Sequence, residues 1–176
     1  MSTEDPLAAS RSHYRPSDAD DPAADPDAVA STIALRKLAV SARSRSELQS
    51  ALSSRKVPAD AARRVLDRLQ EAGLIDDQQL AKDWVESRQT RRHLSRSALR
   101  RELQAKGLAR EEIDLALESV GREEELRAAG TLAAKKLSTM AAQPREVQRR
   151  RIAGALGRRG FNSDIVGRVL ADLLDG

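Results

Sequence analysis

Apolar residues recur along this chain three and four residues apart, in short blocks that glycine, proline or serine interrupt. The stretch 73–108 shows how one helix ends and the next begins. Gly73 can take the left-handed conformation that ends a helix. Asp76 and Gln79 have the spacing of a capping box, so a second helix should begin at once. The pattern therefore predicts helix after helix with almost no linker.

A basic corner follows this second helix. After the run 88–93, either Ser95 or Ser97 can cap the next helix, which should end at Gly107 in the same way as the earlier one ends at Gly73. Extended over the whole chain, the pattern predicts helices near 28–43, 46–55, 59–72, 77–92, 95–106, 110–120, 122–141, 145–159 and 162–174.

The helical pattern repeats. The segment Ser44-Arg45-Ser46-Glu47-Leu48 matches Ser95-Arg96-Ser97-Ala98-Leu99 at a spacing of 51 residues, and a third copy lies 53 residues further on. Aligned triplets that follow this register are Leu48, Leu99 and Ile152; Leu52, Leu103 and Leu156; Lys56, Gly107 and Gly160; Leu66, Leu117 and Leu170. We therefore expect an all-α protein of three tandem three-helix repeats, over 28–75, 76–121 and 122–176, forming an elongated, curved array.

Composition fits this fold class. Apolar residues make up 40% of the 176 residues and are mostly Ala and Leu, aromatic residues only 2%, and charged residues 33%. Such a composition favours helices with thin local cores and highly charged surfaces. Tyr14, Trp84 and Phe161 are the only aromatic residues, and we expect Trp84 and Phe161 to serve as core side chains.

The net charge of +4 conceals an asymmetry. Residues 1–27 carry seven acids against two bases, a net of −5, which leaves +9 for the remainder. With almost nothing to bury, residues 1–27 should be a disordered acidic tail. The basic body suggests an anionic partner, for which the tail could compete.

Several classes of protein find no support. The chain has no Cys, so disulfides and thiolate metal sites are excluded, and no signal pattern or membrane-spanning apolar run is present. His13 and His93 lack the neighbours of a catalytic base, and no phosphate-binding loop occurs. We expect a cytoplasmic, non-enzymatic protein without metal or cofactor.

Basic residues gather at two equivalent places, and these are the candidate contact sites for a partner surface or for phosphate. One surrounds the corner between repeat 2's first two helices, and the other lies in the matching part of repeat 3. The candidates are Arg88, Arg91, Arg92, Arg96, Arg100, Arg101, Lys106, Arg149, Arg150, Arg151, Arg158 and Arg159.

Two interpretations of these bases remain open. Like charges at one corner repel unless something relieves them, which favours an anion-binding surface. The alternative is a solvated surface that nearby glutamates neutralise. A helix-turn-helix reader of DNA sequence is disfavoured, because each third helix begins with acids (Asp60; Glu111 and Glu112; Asp164) that would face phosphates.

Three motifs in order resemble the RecX family of regulatory proteins. They are Gly73-Leu74-Ile75-Asp76-Asp77, the segment Leu99-Arg100-Arg101-Glu102-Leu103-Gln104-Ala105-Lys106-Gly107-Leu108, and Arg158-Arg159-Gly160-Phe161-Asn162-Ser163-Asp164-Ile165-Val166. The resemblance covers nearly everything after the tail, and the Ala- and Arg-rich composition resembles an actinobacterial member.

The resemblance implies a function. Family members are modulators of the RecA recombinase that lie in the groove of the RecA filament on DNA and inhibit ATP hydrolysis, strand exchange and co-protease activity. We would then expect the basic residues to contact acidic RecA surface or nearby phosphates, and the free protein to be a monomer. A non-sequence-specific DNA-binding protein that acts without RecA, and a helical scaffold for another partner, are the alternatives.

Overall fold

The computed structural model describes residues 25–175, and this part of the chain is helical without strands. The helices are α1 Pro26–Val40, α2 Arg45–Ser53, α3 Ala59–Glu71, α4 Asp77–Arg92, α5 Arg96–Ala105, α6 Arg110–Ala116, α7 Arg122–Ser138, α8 Arg145–Arg158 and α9 Ser163–Leu170, which continues as a π-helical turn at Ala171–Asp175. The predicted all-α fold of three tandem three-helix repeats is confirmed. The predicted disorder of residues 1–24 lies outside the described residues.

Each group of three helices encloses its own apolar core. In repeat 1 (α1–α3) the fully buried side chains include Leu48, Leu52 and Leu66. The residues aligned with them from the sequence are buried in the same way in repeats 2 (α4–α6) and 3 (α7–α9). These are Leu99, Leu103 and Leu117 in repeat 2, and Ile152, Leu156 and Leu170 in repeat 3.

The repeats follow one another in a line. Helices pack closely with the two others of their own repeat, and the three cores stay separate. Within residues 25–175, side-chain hydrogen bonds and ion pairs join repeat 1 to repeat 2 and repeat 2 to repeat 3, but none joins repeat 1 to repeat 3. The array is therefore extended, with the middle repeat contacting both neighbours.

Several helix ends differ from the sequence prediction by up to four residues, and two of these differences have a clear structural cause. Helix α1 begins at Pro26, with Asp25 as its N-cap, so Asp27 belongs to the helix and not to the tail. The Asp27 carboxylate binds Arg64 at 2.6 Å and Arg68 at 3.1 Å, which ties the start of α1 to α3. Helix α6 ends at Ala116, four residues earlier than predicted, because carbonyls beyond its end bind a side chain from α5.

Candidate interaction surface

The second helix of repeats 1 and 2 begins in the same way, with a buried serine cap followed by an arginine. Ser44 and Ser95 are both 0% exposed, and their hydroxyls accept the backbone N–H groups of Glu47 and Ala98. Of the two candidate caps at the start of α5, Ser95 is the one used.

The arginine after each cap turns back into its own repeat. The Arg45 guanidinium donates to Gln70 and Asp67 of α3 at 2.9 and 2.6 Å. The Arg96 guanidinium donates to the carbonyls of Leu117 and Val120, at 2.9 Å for Val120. Arg96, predicted to face a partner, therefore binds the end of α6.

The contact between repeats 1 and 2, called joint 1, is polar. The Ser44 hydroxyl donates to the Lys106 carbonyl at 2.5 Å, and the Lys106 ammonium donates to both oxygens of Glu47 at 3.0 and 3.1 Å. The backbone N–H of Arg45 donates to Asp77 at 2.9 Å. Burial raises the pKa of Asp77, although this N–H opposes the effect. Joint 1 thus depends on specific hydrogen bonds, not on a shared apolar core.

The contact between repeats 2 and 3, called joint 2, uses equivalent groups. The backbone N–H of Ser95 donates to the Arg159 carbonyl at 3.1 Å, and the Ser97 hydroxyl donates to the Gly160 carbonyl at 2.9 Å. The backbone N–H of Arg96 donates to Glu125 in the first turn of α7 at 2.9 Å. The Arg159 guanidinium donates to the Arg92 carbonyl, so Arg159 also holds the joint together.

The turn after each second helix has positive φ in all three repeats, at Lys56, Gly107 and Gly160. In repeats 2 and 3 this turn packs on the preceding repeat. A Cβ at Gly107 would lie 2.2 Å from the Ser46 hydroxyl oxygen, and one at Gly160 would lie 2.6 Å from that of Ser95. Lys56, which the alignment puts in the glycine position, is exposed. Glycine is therefore needed only where a joint forms.

Two of the predicted contact residues lie over the ring of Trp84. The Arg88 guanidinium is 3.9 Å and the Lys106 ammonium 4.3 Å from the centre of its ring, so both cations face the π electrons. Glu102 accepts hydrogen bonds from the Trp84 indole and from Arg88, each at 2.8 Å. Trp84 packs against the repeat 2 core, as predicted, and Phe161 is buried in that of repeat 3. Arg88 and Lys106 belong to this stack, called the Trp84 stack.

Three further candidates form ion pairs at the surface. Arg100 lies 2.6 Å from Asp114, and Arg149 lies 2.7 Å from Asp175. Arg92 lies 3.7 Å from Glu102. The hydrogen bond from Arg100 holds the pKa of Asp114 below its usual range. Because these groups are partly exposed, such pairs contribute little stability and can exchange for another anion.

The remaining five candidates are exposed and form no ion pair with another residue of the described chain. We call them the free arginines: Arg91, Arg101, Arg150, Arg151 and Arg158. Arg151 and Arg158 are two helical turns apart on α8 and so share a side of it. Arg101 lies at joint 2, where its guanidinium is 3.1 Å from the Cβ position of Gly160. These side chains give repeats 2 and 3 an unneutralised positive surface.

A further basic site, in repeat 1, was not predicted from the sequence. A groove of about 240 Å³ lies between α1, the loop before α2 and the end of α2. Its lining residues are Ile33, Arg36, Lys37, Val40, Arg43 and Arg55. The 51-residue register could have found it, because it aligns Lys37 with Arg88 and Arg55 with Lys106.

Between Asp25 and Asp175, no three His, Asp or Glu side chains come together as metal ligands would. The same part of the chain contains no helix that is both long and apolar enough to cross a membrane. His93 has φ 50° and ends α4 in the left-handed conformation, which accounts for the sharp basic corner.

Fold and surface together define a tandem array of three three-helix domains with serine-capped joints and a basic exterior. Sequence patterns for known three-helix domains match all three units. Those for the first, second and third three-helix domains of RecX match residues 30–69, 76–117 and 123–170. The chain therefore belongs to the RecX family.

Relatives in actinobacteria confirm the expected likeness. The regulatory protein RecX of Streptomyces coelicolor is 40% identical over 155 residues, which cover 88% of this chain and 82% of that protein. RecX of Thermobifida fusca is 34% identical over 146 residues, covering 83% and 79%. RecX of Mycolicibacterium smegmatis is 39% identical over 140 residues, covering 77% and 74%.

Solved structures share the fold. The crystal structure of RecX from Lactobacillus salivarius matches with a TM-score of 0.74 at 22% identity, covering 85% of this chain and 97% of that one. A second crystal structure, of a regulatory protein RecX, matches with a TM-score of 0.69 at 25% identity, covering 83% and 72%.

Proposed function

We propose that this chain is a non-enzymatic regulator that lies in the groove of the RecA filament on DNA and inhibits RecA ATP hydrolysis, strand exchange and co-protease activity. Its relatives are named regulatory proteins, which supports a regulatory role. An extended array suits a helical groove, because successive repeats can contact successive subunits.

The observation that carries the proposal is the set of five free arginines. They lie on α4, α5 and α8, so exposed positive charge is present on both repeat 2 and repeat 3, and Arg101 lies at joint 2. Unpaired guanidinium groups bind carboxylates and phosphates well, because their donors match the geometry of these anions. The surface thus suits acidic protein and DNA backbone alike.

The predicted contact residues then divide by role. The free arginines make the primary contacts, and Arg92, Arg100 and Arg149 join them by exchanging their own carboxylates for those of the partner. The others maintain the shape of the surface from within: Arg88 and Lys106 in the Trp84 stack, and Arg96 and Arg159 at joint 2.

The test is RecA ATPase activity on single-stranded DNA at increasing concentrations of this protein. Replacing Arg150, Arg151 and Arg158 by Ala should raise the concentration for half-inhibition by about tenfold or more, since several charge contacts are lost together. The matched control replaces Arg63, Lys135 and Lys136, which are exposed and remove the same charge. Equal inhibition by both variants at equal helicity would remove the free arginines from the proposal.

Binding to DNA without RecA is the alternative that the same arginines favour. It predicts affinity for bare single- or double-stranded DNA that falls steeply with salt, and no additional effect of a RecA filament. Salt titrations with DNA alone and with RecA filaments separate the two. Tighter binding to filaments than to either DNA supports the RecA proposal.

A further inference from the structure

The groove in repeat 1 occupies the same position as the Trp84 stack in repeat 2. The register of 51 residues that aligns Ser44 with Ser95 also holds between α1 and α4. Asp25 and Asp76 both act as N-caps, and Ala30 and Ala81 are both fully buried. The two repeats can therefore be compared position by position.

The cations of the stack are kept in repeat 1, but their aromatic and acidic partners are missing. In the register of 51 residues, Lys37 aligns with Arg88 and Arg55 aligns with Lys106, so both cations are present in repeat 1. Trp84 aligns with Ile33 and Glu102 aligns with Ala51, so the aromatic ring and the carboxylate are not. Two cations lie over the Trp84 ring, whereas Ile33 lines an open groove. The groove in repeat 1 is thus equivalent to the Trp84 stack of repeat 2, but without the aromatic ring and the carboxylate.

The carboxylate that the preceding repeat supplies is missing too. In joint 1, Glu47 of repeat 1 reaches across to Lys106. Within residues 25–175, no repeat precedes repeat 1, so no equivalent carboxylate reaches Arg55. Arg36, Lys37 and Arg55 form no ion pair with described residues, and Nε of Arg43 is buried without an acceptor. The groove therefore has more positive charge than its own repeat neutralises.

We propose that this groove is a docking site for a protein segment that presents an aromatic side chain beside a carboxylate. The ring takes the place of Trp84 between Lys37 and Arg55, and the carboxylate takes that of Glu102 and Glu47. Val40, 81% exposed at the rim, packs against the ring. The site lies apart from the free arginines and does not depend on the RecA proposal.

The test uses the ¹⁵N-labelled full chain and a synthetic peptide, acetyl-Glu-Trp-Asp-amide, as probe. Saturable shifts of the Lys37, Val40 and Arg55 amides are expected, with a dissociation constant on the order of 1 mM for so few contacts. Acetyl-Glu-Ala-Asp-amide should bind at least about fivefold more weakly, because it lacks the ring.

Two variants locate the site. Lys37→Ala with Arg55→Ala should weaken binding about tenfold, whereas Arg63→Ala with Lys135→Ala, an equal loss of exposed charge, should not. Ile33→Trp with Ala51→Glu rebuilds the Trp84 stack in repeat 1. This filled variant should keep the helical content of the parent and lose the peptide.

Other results overturn the proposal. These are the absence of saturable shifts at the groove up to 10 mM peptide (about ten times the expected constant), equal binding of the peptide without a ring, or peptide binding by the filled variant. A pentathymidylate probe that binds the groove in preference to the peptide would make it a nucleotide site. If the groove amides shifted in a Tyr14→Ala variant without peptide, residues 1–24 would be the occupant.

Discussion

The interior of each repeat and the joints between repeats are built from opposite kinds of contact. Each core buries apolar side chains from three helices, and in repeats 1 and 3 the buried residues of the first helix are all alanines. Such cores tolerate small shifts because apolar packing has no direction. In each joint, the serine cap donates a hydrogen bond to a backbone carbonyl of the next repeat. The backbone N–H of the arginine that follows the cap donates to a carboxylate of that repeat. Cores therefore stabilise the repeats, whereas joints fix their relative orientation.

The largest effect should come from a core substitution. Leu99 is 0% exposed in the core of repeat 2, so Leu99→Ala should cost about 2–5 kcal/mol through lost burial and a residual cavity. Urea unfolding followed by circular dichroism measures the loss. Leu115→Ala, at a position 40% exposed, is the control and should cost less than about 1 kcal/mol. Equal losses would mean that repeat 2 has no independent core.

A joint glycine should come next. Gly160→Ala puts a Cβ 2.6 Å from the Ser95 hydroxyl oxygen at φ 85°, so about 1–3 kcal/mol should be lost. Lys56→Gly at the equivalent turn of repeat 1 should change the free energy of unfolding by less than about 1 kcal/mol, since within residues 25–175 no other repeat packs on it. A large effect at Lys56 would show that this turn has a partner.

Removing a serine cap should have a smaller effect. Ser44→Ala loses the N-cap of α2 and the hydrogen bond to the Lys106 carbonyl, which together should cost about 1–2 kcal/mol. Ser50→Ala, on the exposed side of α2, should be neutral. Because Lys106 is near Trp84, fluorescence of the single tryptophan should report the opening of joint 1 in Ser44→Ala only.

The smallest effect should be that of pH on joint 1. Burial raises the pKa of Glu47, but the Ser44 N–H and the Lys106 ammonium outweigh it and hold this pKa below the usual value of 4.5. A depressed carboxyl pKa stabilises the fold above the unfolded-state value, and this contribution is lost as pH falls through the folded-state value. The urea midpoint of the parent should therefore drop more between pH 6 and pH 3 than that of Glu47→Gln. Parallel curves would contradict this.

Much of the fold could be predicted because local signals repeat. The serine caps, the glycine turns and the buried leucines all recur at fixed spacing. The alignment put Lys56 in the position of a turn glycine, and the structure gives it a positive φ. Helix ends were less accurate where a distant residue decides them. The end of α6 depends on Arg96, which lies more than 20 residues earlier in the chain.

The candidate surface was harder to predict, because a charged side chain gives no local sign of its partner. The charged groups of Arg88, Arg96 and Lys106 form hydrogen bonds with groups 14 to 59 residues away, which only the packing of helices and repeats brings together. Repetition predicted the fold, but it was not used to separate structural from exposed arginines. Arg45 and Arg96 follow equivalent caps and both bind their own third helix, so recurrence at that position indicated a structural role.

The separation of the three cores affects how the molecule comes apart. Since the three apolar cores within residues 25–175 are separate, cooperativity should pass along the chain mainly through the two hydrogen-bonded joints, as in a one-dimensional lattice with weak nearest-neighbour coupling. Pulling on the ends, or raising the temperature slowly, should melt the units one by one in separate steps. Each repeat should then refold around its own core, and a neighbour that stays folded should fix its orientation through the hydrogen bonds of the joint.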